Sequence, residues 1–378
     1  MLKSINKRRF LEELRKRGPS TRAELTRAIG VAPPTSSKII ADLLEAGFLE
    51  QGITHSDGKG RPGTYFKLAS SNAYVVGATI DISECKVRPA GLDGRFLLEE
   101  EITFPTPNTY PEMIAALDKA IREVKGVSLG HCRGVGLAVP GLLDDQLHRV
   151  AFSPNLHMLD GQDLGSDLSS SLGYPVICTQ EEHALCLSEQ NQGAADGLTD
   201  FAVVDFSSGV GMGVVSGGRY VSGANGFACE IGHTTVEPNG KLCGCGNRGC
   251  LETVASDIVL LQRLSDRLGR VISTGEFHQL WLKGDKAIDD EIRMALEFVA
   301  IGLATVVNIF NPQVVFVNGM IFGLGERTLA RLSAAVGERA LRPSFSSVSI
   351  KATTGNKLHG AIAGLLDHLF AEVGPTLR

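Results

Sequence analysis

Three cysteines, Cys243, Cys245 and Cys250, fall within eight residues, and His233 precedes them in a His-x9-Cys-x-Cys-x4-Cys pattern. One imidazole and three thiolates form a tetrahedral donor set for zinc, and a site with four protein ligands is normally structural. Gly244, Gly246 and Gly249 let so short a loop fold back around an ion. The spacing therefore predicts a zinc-clamped loop over 233–250. The other cysteines, Cys85, Cys132, Cys178, Cys186 and Cys229, stand singly, mostly among apolar residues, and read as core filler in a reducing compartment.

Short β-rich runs alternate with helical stretches along the body. Val75–Ile80, Gly134–Ala138, Val176–Cys178, Phe201–Asp205 and Val314–Asn318 read as strands. Pro111–Val124, Glu182–Gln190, Ala255–Leu268 and Ile288–Asn308 read as helices. Alternation of this kind indicates an α/β architecture. With 378 residues, two or three domains are expected. We find no uninterrupted apolar run of membrane length and no apolar signal core behind the basic start, so a cytoplasmic protein without a membrane partner is expected.

The charge is unevenly spread. Residues 1–68 hold 13 Lys+Arg against 7 Asp+Glu, leaving 24 basic and 35 acidic residues for the rest. A basic head on an acidic body suits phosphate-backbone binding at one end. Asn6–Arg17 has helical apolar spacing. Ser20 or Thr21 then caps a second helix, with Glu24 placed to complete a capping box. Gly30 makes a turn, and Pro33-Pro34 opens a third helix. This is the helix-turn-helix order, whose last helix offers its first residues to the major groove. Thr35, Ser36, Ser37 and Lys38 occupy that position. After Gly47, two short strands flank a glycine-rich loop, a wing carrying Lys59 and Arg61 toward the DNA backbone or minor groove.

Glu230-Ile-Gly-His233 followed by Cys243-Gly-Cys-Gly-Asn-Arg-Gly-Cys250-Leu-Glu252 resembles the signature of the ROK family of repressors, open reading frames and sugar kinases. Pro140-Gly141, Ser153-Pro-Asn155, Ser207-Ser-Gly-Val-Gly-Met-Gly213 and Asn311-Pro312 agree in order, and the winged head resembles the repressor branch. The resemblance implies a two-lobed, actin-like and sugar-kinase-like (ribonuclease H-like) fold. It implies a head at 1–70, a first lobe at 71–190 and a second at 191–378, with the final helix able to return to the first lobe. It also implies a sugar ligand set of Asn155, Gln180, Glu181, Glu230, His233 and Glu252, organised by the zinc loop.

Two departures argue against catalysis. Active members carry Asn-Asp where this chain has Gln180-Glu181. The added methylene displaces the base by ~1 Å, and a displacement of that size can cost ~100-fold in rate. No catalytic residue is assigned, and Glu181 marks a degenerate base position, as in xylose-repressor-like members. The family's first phosphate loop, Asp-x-Gly-Gly-Thr-Lys, is replaced by Thr79-Ile-Asp81-Ile-Ser-Glu84. Side chains and acidic charge there oppose phosphate. The glycine stretch Ser208–Gly213 reads as a structural strand turn. The expected function is a sugar-responsive DNA-binding regulator, a repressor acting as homodimer or homotetramer on operator DNA. The alternatives are an active ATP-dependent sugar kinase with an added head, or a regulator whose effector is a protein.

Overall fold

The computed structural model describes residues 2–52, 64–125, 130–144 and 146–373. They form two compact units. One comprises Met1–Val139, Asp163–Thr179 and Lys357–Arg378; the other comprises Pro140–Gln162 and Gln180–Asn356. This division differs from three consecutive segments cut at 70 and 190. The head belongs to the same unit as the first body sheet, and so does the terminal helix.

In the head, helices Leu2–Arg17, Arg22–Ile29 and Pro33–Glu45 precede strands Leu49–Gly52 and Tyr65–Leu68. Thr21 is the cap of the second helix: its hydroxyl accepts from the Glu24 N–H at 3.3 Å, and Glu24 accepts from the Thr21 N–H at 2.7 Å. The two wing strands pair antiparallel from Leu49↔Leu68 to Gly52↔Tyr65. A third strand, Ser20–Thr21, pairs with Tyr65–Leu68. At two residues it is too short to show any periodicity.

Phe10, Leu11, Leu14, Leu25, Ile39 and Leu43 fill the head's interior. That interior is not closed on itself. It continues without a break into Ile362, Leu365, Leu366 and Phe370 of the terminal helix Lys357–Glu372. Phe48 meets Phe370 edge-on at 6.4 Å between centroids, and the Arg15 guanidinium lies 5.6 Å from the Phe370 ring and 2.7 Å from Asp367. On the other side, Arg133 donates to the Ala46 carbonyl at 2.5 Å. The chain leaving the head is held by Glu50, one of whose carboxylate oxygens accepts from the N–H groups of Ser70, Ser71 and Asn72 at 3.0, 2.7 and 3.0 Å.

The sheet of this unit runs Val176–Gln180, His131–Val139, Ala73–Ile80, Glu84–Ala90, Ile102–Pro105. The terminal helix lies directly on its middle strands. A Cβ on Gly136 would collide with the Ala361 carbonyl, and one on Gly77 would come within 2.7 Å of Ile362. These strand glycines mark a close approach of helix backbone to sheet.

The second unit has a sheet of order Arg219–Tyr220, Gly211–Ser216, Phe201–Asp205, Val314–Asn318, Ser349–Ala352. Numbered by their order in the chain, the strands of both sheets run 3-2-1-4-5. The first three form an antiparallel meander in each, and the fourth lies parallel to the first. The repeated order is the α/β, ribonuclease H-like plan.

The helix Lys286–Phe310 contains an 18-residue window of mean hydropathy 1.7, long and apolar enough to cross a membrane by length and composition. A reading by uninterrupted runs misses it because charged residues lie near its start. More than half of that window is buried, with Ile292, Val299, Leu303 and Val307 in the unit's core.

Candidate functional site

The loop between His233 and Cys250 is a compact knuckle. Cys243 N–H donates to the Asn247 carbonyl at 2.8 Å, and Gly246 turns back at φ +88°. Short bridges pair Thr235 with Cys250 and Leu242 with Arg248. The result gathers one donor atom from each of His233, Cys243, Cys245 and Cys250 within 4.8 Å of one another. Cys243 Sγ is 3.6 Å from His233 Nδ1, and Cys245 Sγ is 3.7 Å from Cys250 Sγ. Burial pushes the Cys243 and Cys250 thiols up. Thiolates at such positions call for an adjacent positive charge, and this set can hold a metal ion.

His233 faces two ways. Its Nδ1 belongs to the cluster, while its Nε2 lies 3.9 Å from Glu230. Gln180 donates its amide to the other oxygen of Glu230 at 3.3 Å. On the far side of the cluster, Cys243 Sγ is 3.7 Å from Glu252, and Asn155 donates to that same oxygen of Glu252 at 3.4 Å. Asn155, Glu252, Cys243, His233, Glu230 and Gln180 thus form one continuous string of polar side chains. Glu181 follows Gln180 as the first residue of the helix Glu181–Asn191. Burial pushes the Glu230 carboxyl up to about 7; the Gln180 amide opposes that rise and the Glu252 charge adds to it.

The glycine stretch before this site serves packing. Glu252 accepts from the Val210 N–H at 3.1 Å, and a Cβ on Gly209 would stand 2.5 Å from its carboxylate. Gly213 leaves room for the helix Glu181–Asn191, since a Cβ there would meet Cys186 Sγ at 2.6 Å. In the other unit, Asp81 closes its own turn by accepting from the Ile82 N–H at 2.6 Å, and Lys357 lies 3.9 Å from it. Thr79 is buried in the strand before it. That turn is made of side chains where a phosphate cradle would need bare backbone.

In the head, Thr35 and Lys38 are exposed at the start of the third helix. Ser36 is not available to DNA. It is 0% exposed, and its hydroxyl is bonded to that of Thr26 at 2.8 Å. The correction has a helical cause: Ser36 is spaced with Ile39, Ile40 and Leu43 on the buried face. Ser37 donates to the Pro33 carbonyl at 3.1 Å and accepts from Arg22 at 3.1 Å. Arg22, a cation that sequence reading did not single out, is thereby placed beside the third helix's first turn. Lys59 and Arg61 lie outside the described residues.

A protein-family model for the ROK family matches residues 78–366. The chain is 27% identical over 375 residues to the DNA-binding transcriptional repressor Mlc of Escherichia coli, covering 94% of this chain and 90% of that one. It is 28% identical over 342 residues to the xylose repressor of Bacillus subtilis, with 89% and 88% covered. A crystal structure of a ROK family transcriptional regulator, a homologue of the E. coli Mlc protein, superposes with a TM-score of 0.81 at 22% identity over 98% of both chains. A ROK family glucokinase from Streptomyces griseus, solved with glucose and AMPPNP, superposes at 0.70 with 24% identity over 77% of this chain and 97% of that one. The family model spans about three quarters of the sequence, on the strands, knuckle and polar string described above, and the chain belongs to the ROK family.

Proposed function

We propose that this protein is a sugar-responsive transcriptional regulator, a repressor, that binds operator DNA through its head and a monosaccharide through the polar string of the second unit. The observation that carries the reading is the attachment of that string to the His/Cys cluster. Two carboxylates, two amides and an imidazole offer the mixed donors and acceptors that sugar hydroxyls need, at spacings fixed by the knuckle. The relatives named repressors match 94% and 89% of the chain, more than the body alone supplies, so the match reaches into the head, which supports the DNA side.

Zinc is the metal that fits. Tetrahedral zinc, with Zn–S of about 2.3 Å and Zn–N of about 2.0–2.1 Å, holds sulfurs about 3.8 Å apart and sulfur about 3.6 Å from nitrogen. Two of the six donor separations, 3.7 and 3.6 Å, match those edges, and all six lie within 4.8 Å. His233 Nδ1 and the three thiolates would hold the ion. Its contribution is to fix His233 Nε2 and the neighbouring Glu230 and Glu252, with no part in a reaction. Glu181 at the base position and the side-chain-filled turn at 81–84 favour a sensor over a kinase.

A homodimer would bring two heads to a pseudo-palindromic operator, with half-sites a whole number of roughly 10-bp turns apart. Sugar must bind the DNA-competent and DNA-incompetent states unequally to regulate at all. The test is to select duplexes from random DNA with the full chain, then titrate D-glucose, D-xylose and N-acetyl-D-glucosamine into the complex. At least one sugar should change DNA affinity, and Glu230→Ala should abolish that sugar's binding. No sugar effect on DNA affinity would refute the sensor reading. ATP- and Mg2+-dependent sugar phosphorylation would refute the non-enzyme reading.

A further inference from the structure

The helix Glu181–Asn191 begins next to Gln180 of the polar string and carries a buried polar pair about 12 Å along its axis. Ser188 and Glu189 are both 0% exposed. Glu189 accepts through Oε1 from the backbone N–H groups of Thr354 and Gly355 at 2.6 and 2.8 Å. Its Oε2 accepts from the Ala194 N–H at 2.9 Å and the Thr354 hydroxyl at 3.3 Å. Ser188 Oγ accepts from the Asn356 N–H at 3.0 Å. Three consecutive amides are therefore held by one turn of this helix, and Gly355 packs so tightly on Ser188 that a Cβ has no room. A fully buried carboxylate is costly unless its bonds are complete, and bonds from N–H groups to a carboxylate are short and strong.

The segment so held leads straight into the terminal helix Lys357–Glu372, whose far face completes the core of the head. The chain passes between the two units four times, at 139/140, 162/163, 179/180 and 356/357. This helix governs two of those passages. Gln180 opens it, and its last turns grip Thr354–Asn356.

We propose that the helix Glu181–Asn191 couples the sugar pocket at its first turn to the DNA-binding head at its last, with Ser188 and Glu189 as positioning residues that fix the Thr354–Asn356 segment ahead of the terminal helix. The inference rests on the sugar-responsive reading above. A shift or rotation of the helix when sugar engages Gln180 and Glu181 is delivered undiminished to the gripped amides, because a helix of this length moves as a rod. The terminal helix transmits it in turn, being seated on bare strand backbone at one face and in the head's core at the other.

Glu189→Gln places an amide N–H2 against groups that are themselves donors, and so loosens the grip without touching Asn155, Glu230 or Glu252. Ser188→Ala removes only the acceptor for Asn356. In the full-length chain, isothermal titration with D-glucose, D-xylose and N-acetyl-D-glucosamine reads sugar binding. Fluorescence anisotropy on a duplex selected by the wild type, with and without saturating sugar, reads the coupling. Both variants should bind sugar and DNA within about threefold of wild type, while a sugar effect of about 5–150-fold shrinks to under about twofold in Glu189→Gln and to an intermediate value in Ser188→Ala. A full wild-type sugar effect in Glu189→Gln overturns the proposal. Should Glu189→Gln fail to fold, Ser188→Ala decides: a reduced sugar effect supports the coupling and an unchanged one overturns it. Absence of any sugar effect in the wild type itself overturns the sensor reading, and the coupling falls with it; this case is told apart by needing no variant.

Discussion

Truncating Phe370 to alanine tests whether the head and the first sheet are one folding unit. Phe370 is 1% exposed and lies in the apolar cluster that joins the terminal helix to the head. Loss of a buried phenylalanine costs about 3–5 kcal/mol through lost burial and the cavity left behind. The edge contact with Phe48 and the Arg15 guanidinium over the ring belong to the same loss, and adding them separately would count the ring twice. A cost of about 4 kcal/mol corresponds to a roughly 1000-fold fall in the protection of amides that exchange only through unfolding of the unit, at ~1.4 kcal/mol per tenfold. Hydrogen exchange read by mass spectrometry should show that fall together in the helix Leu2–Arg17 and in the strand Ala73–Ile80. Phe370→Leu, which keeps most of the volume, should cost under about 1.5 kcal/mol and lose protection in the same two places. Lost protection confined to the head, with Ala73–Ile80 unchanged, would refute the argument and make the head a separate domain.

Zinc analysis of chain purified without chelator should give about one equivalent, and Cys245→Ser should lose the metal along with the sugar response; zinc well below one equivalent counts against the site. Lys38→Ala should weaken binding to every duplex alike and lower the slope of log affinity against log salt by about 0.9, whereas a change confined to one base position would assign Lys38 to base reading. Burial alone would raise the Glu50 carboxyl, but the N–H groups of Ser71, Asn72 and Ser70, with the Lys67 ammonium, outweigh it and hold it below its usual range. Its contribution is therefore present above the ordinary value of about 4.3 and lost as pH falls through the lowered one. Glu50→Gln should cost about 1–3 kcal/mol at pH 7 by denaturant titration, and the two chains should converge in acid; a gap that persists in acid would show that the carboxyl's charge is not what matters.

The strands at Phe201–Asp205 and Val314–Asn318 are legible in the sequence because each is a continuous apolar run of strand length, bounded by polar residues or glycine. The cysteine knuckle is legible because its donors are close in the chain as well as in space. Ser36 shows a signal that was present and outweighed: its spacing to Ile39, Ile40 and Leu43 puts it on the buried face, while its hydroxyl and its place in the first turn suggest an outward role. Glu189 and Phe370 are different. Glu189 sits in a polar stretch, Ser188-Glu-Gln-Asn-Gln, that reads as exposed helix, and its partners lie at 354 and 355. Nothing local distinguishes a surface glutamate from one that holds distant amides. Gly77 and Gly136 likewise read as weak points in strands, until the helix that fills their missing side chains is known.

The seating of the terminal helix on Gly77 and Gly136 has a consequence for how the chain is made. Synthesis proceeds from the head onward, and the residues that complete the head's core and cover the first sheet follow the whole of the second unit in the chain. Until Ile362 and Phe370 emerge, the head presents an open apolar face, and the whole of the second unit is produced while it waits. The apolar face that this helix covers therefore stays exposed until residues 362–370 have been made, and a chain cut short of them keeps it exposed.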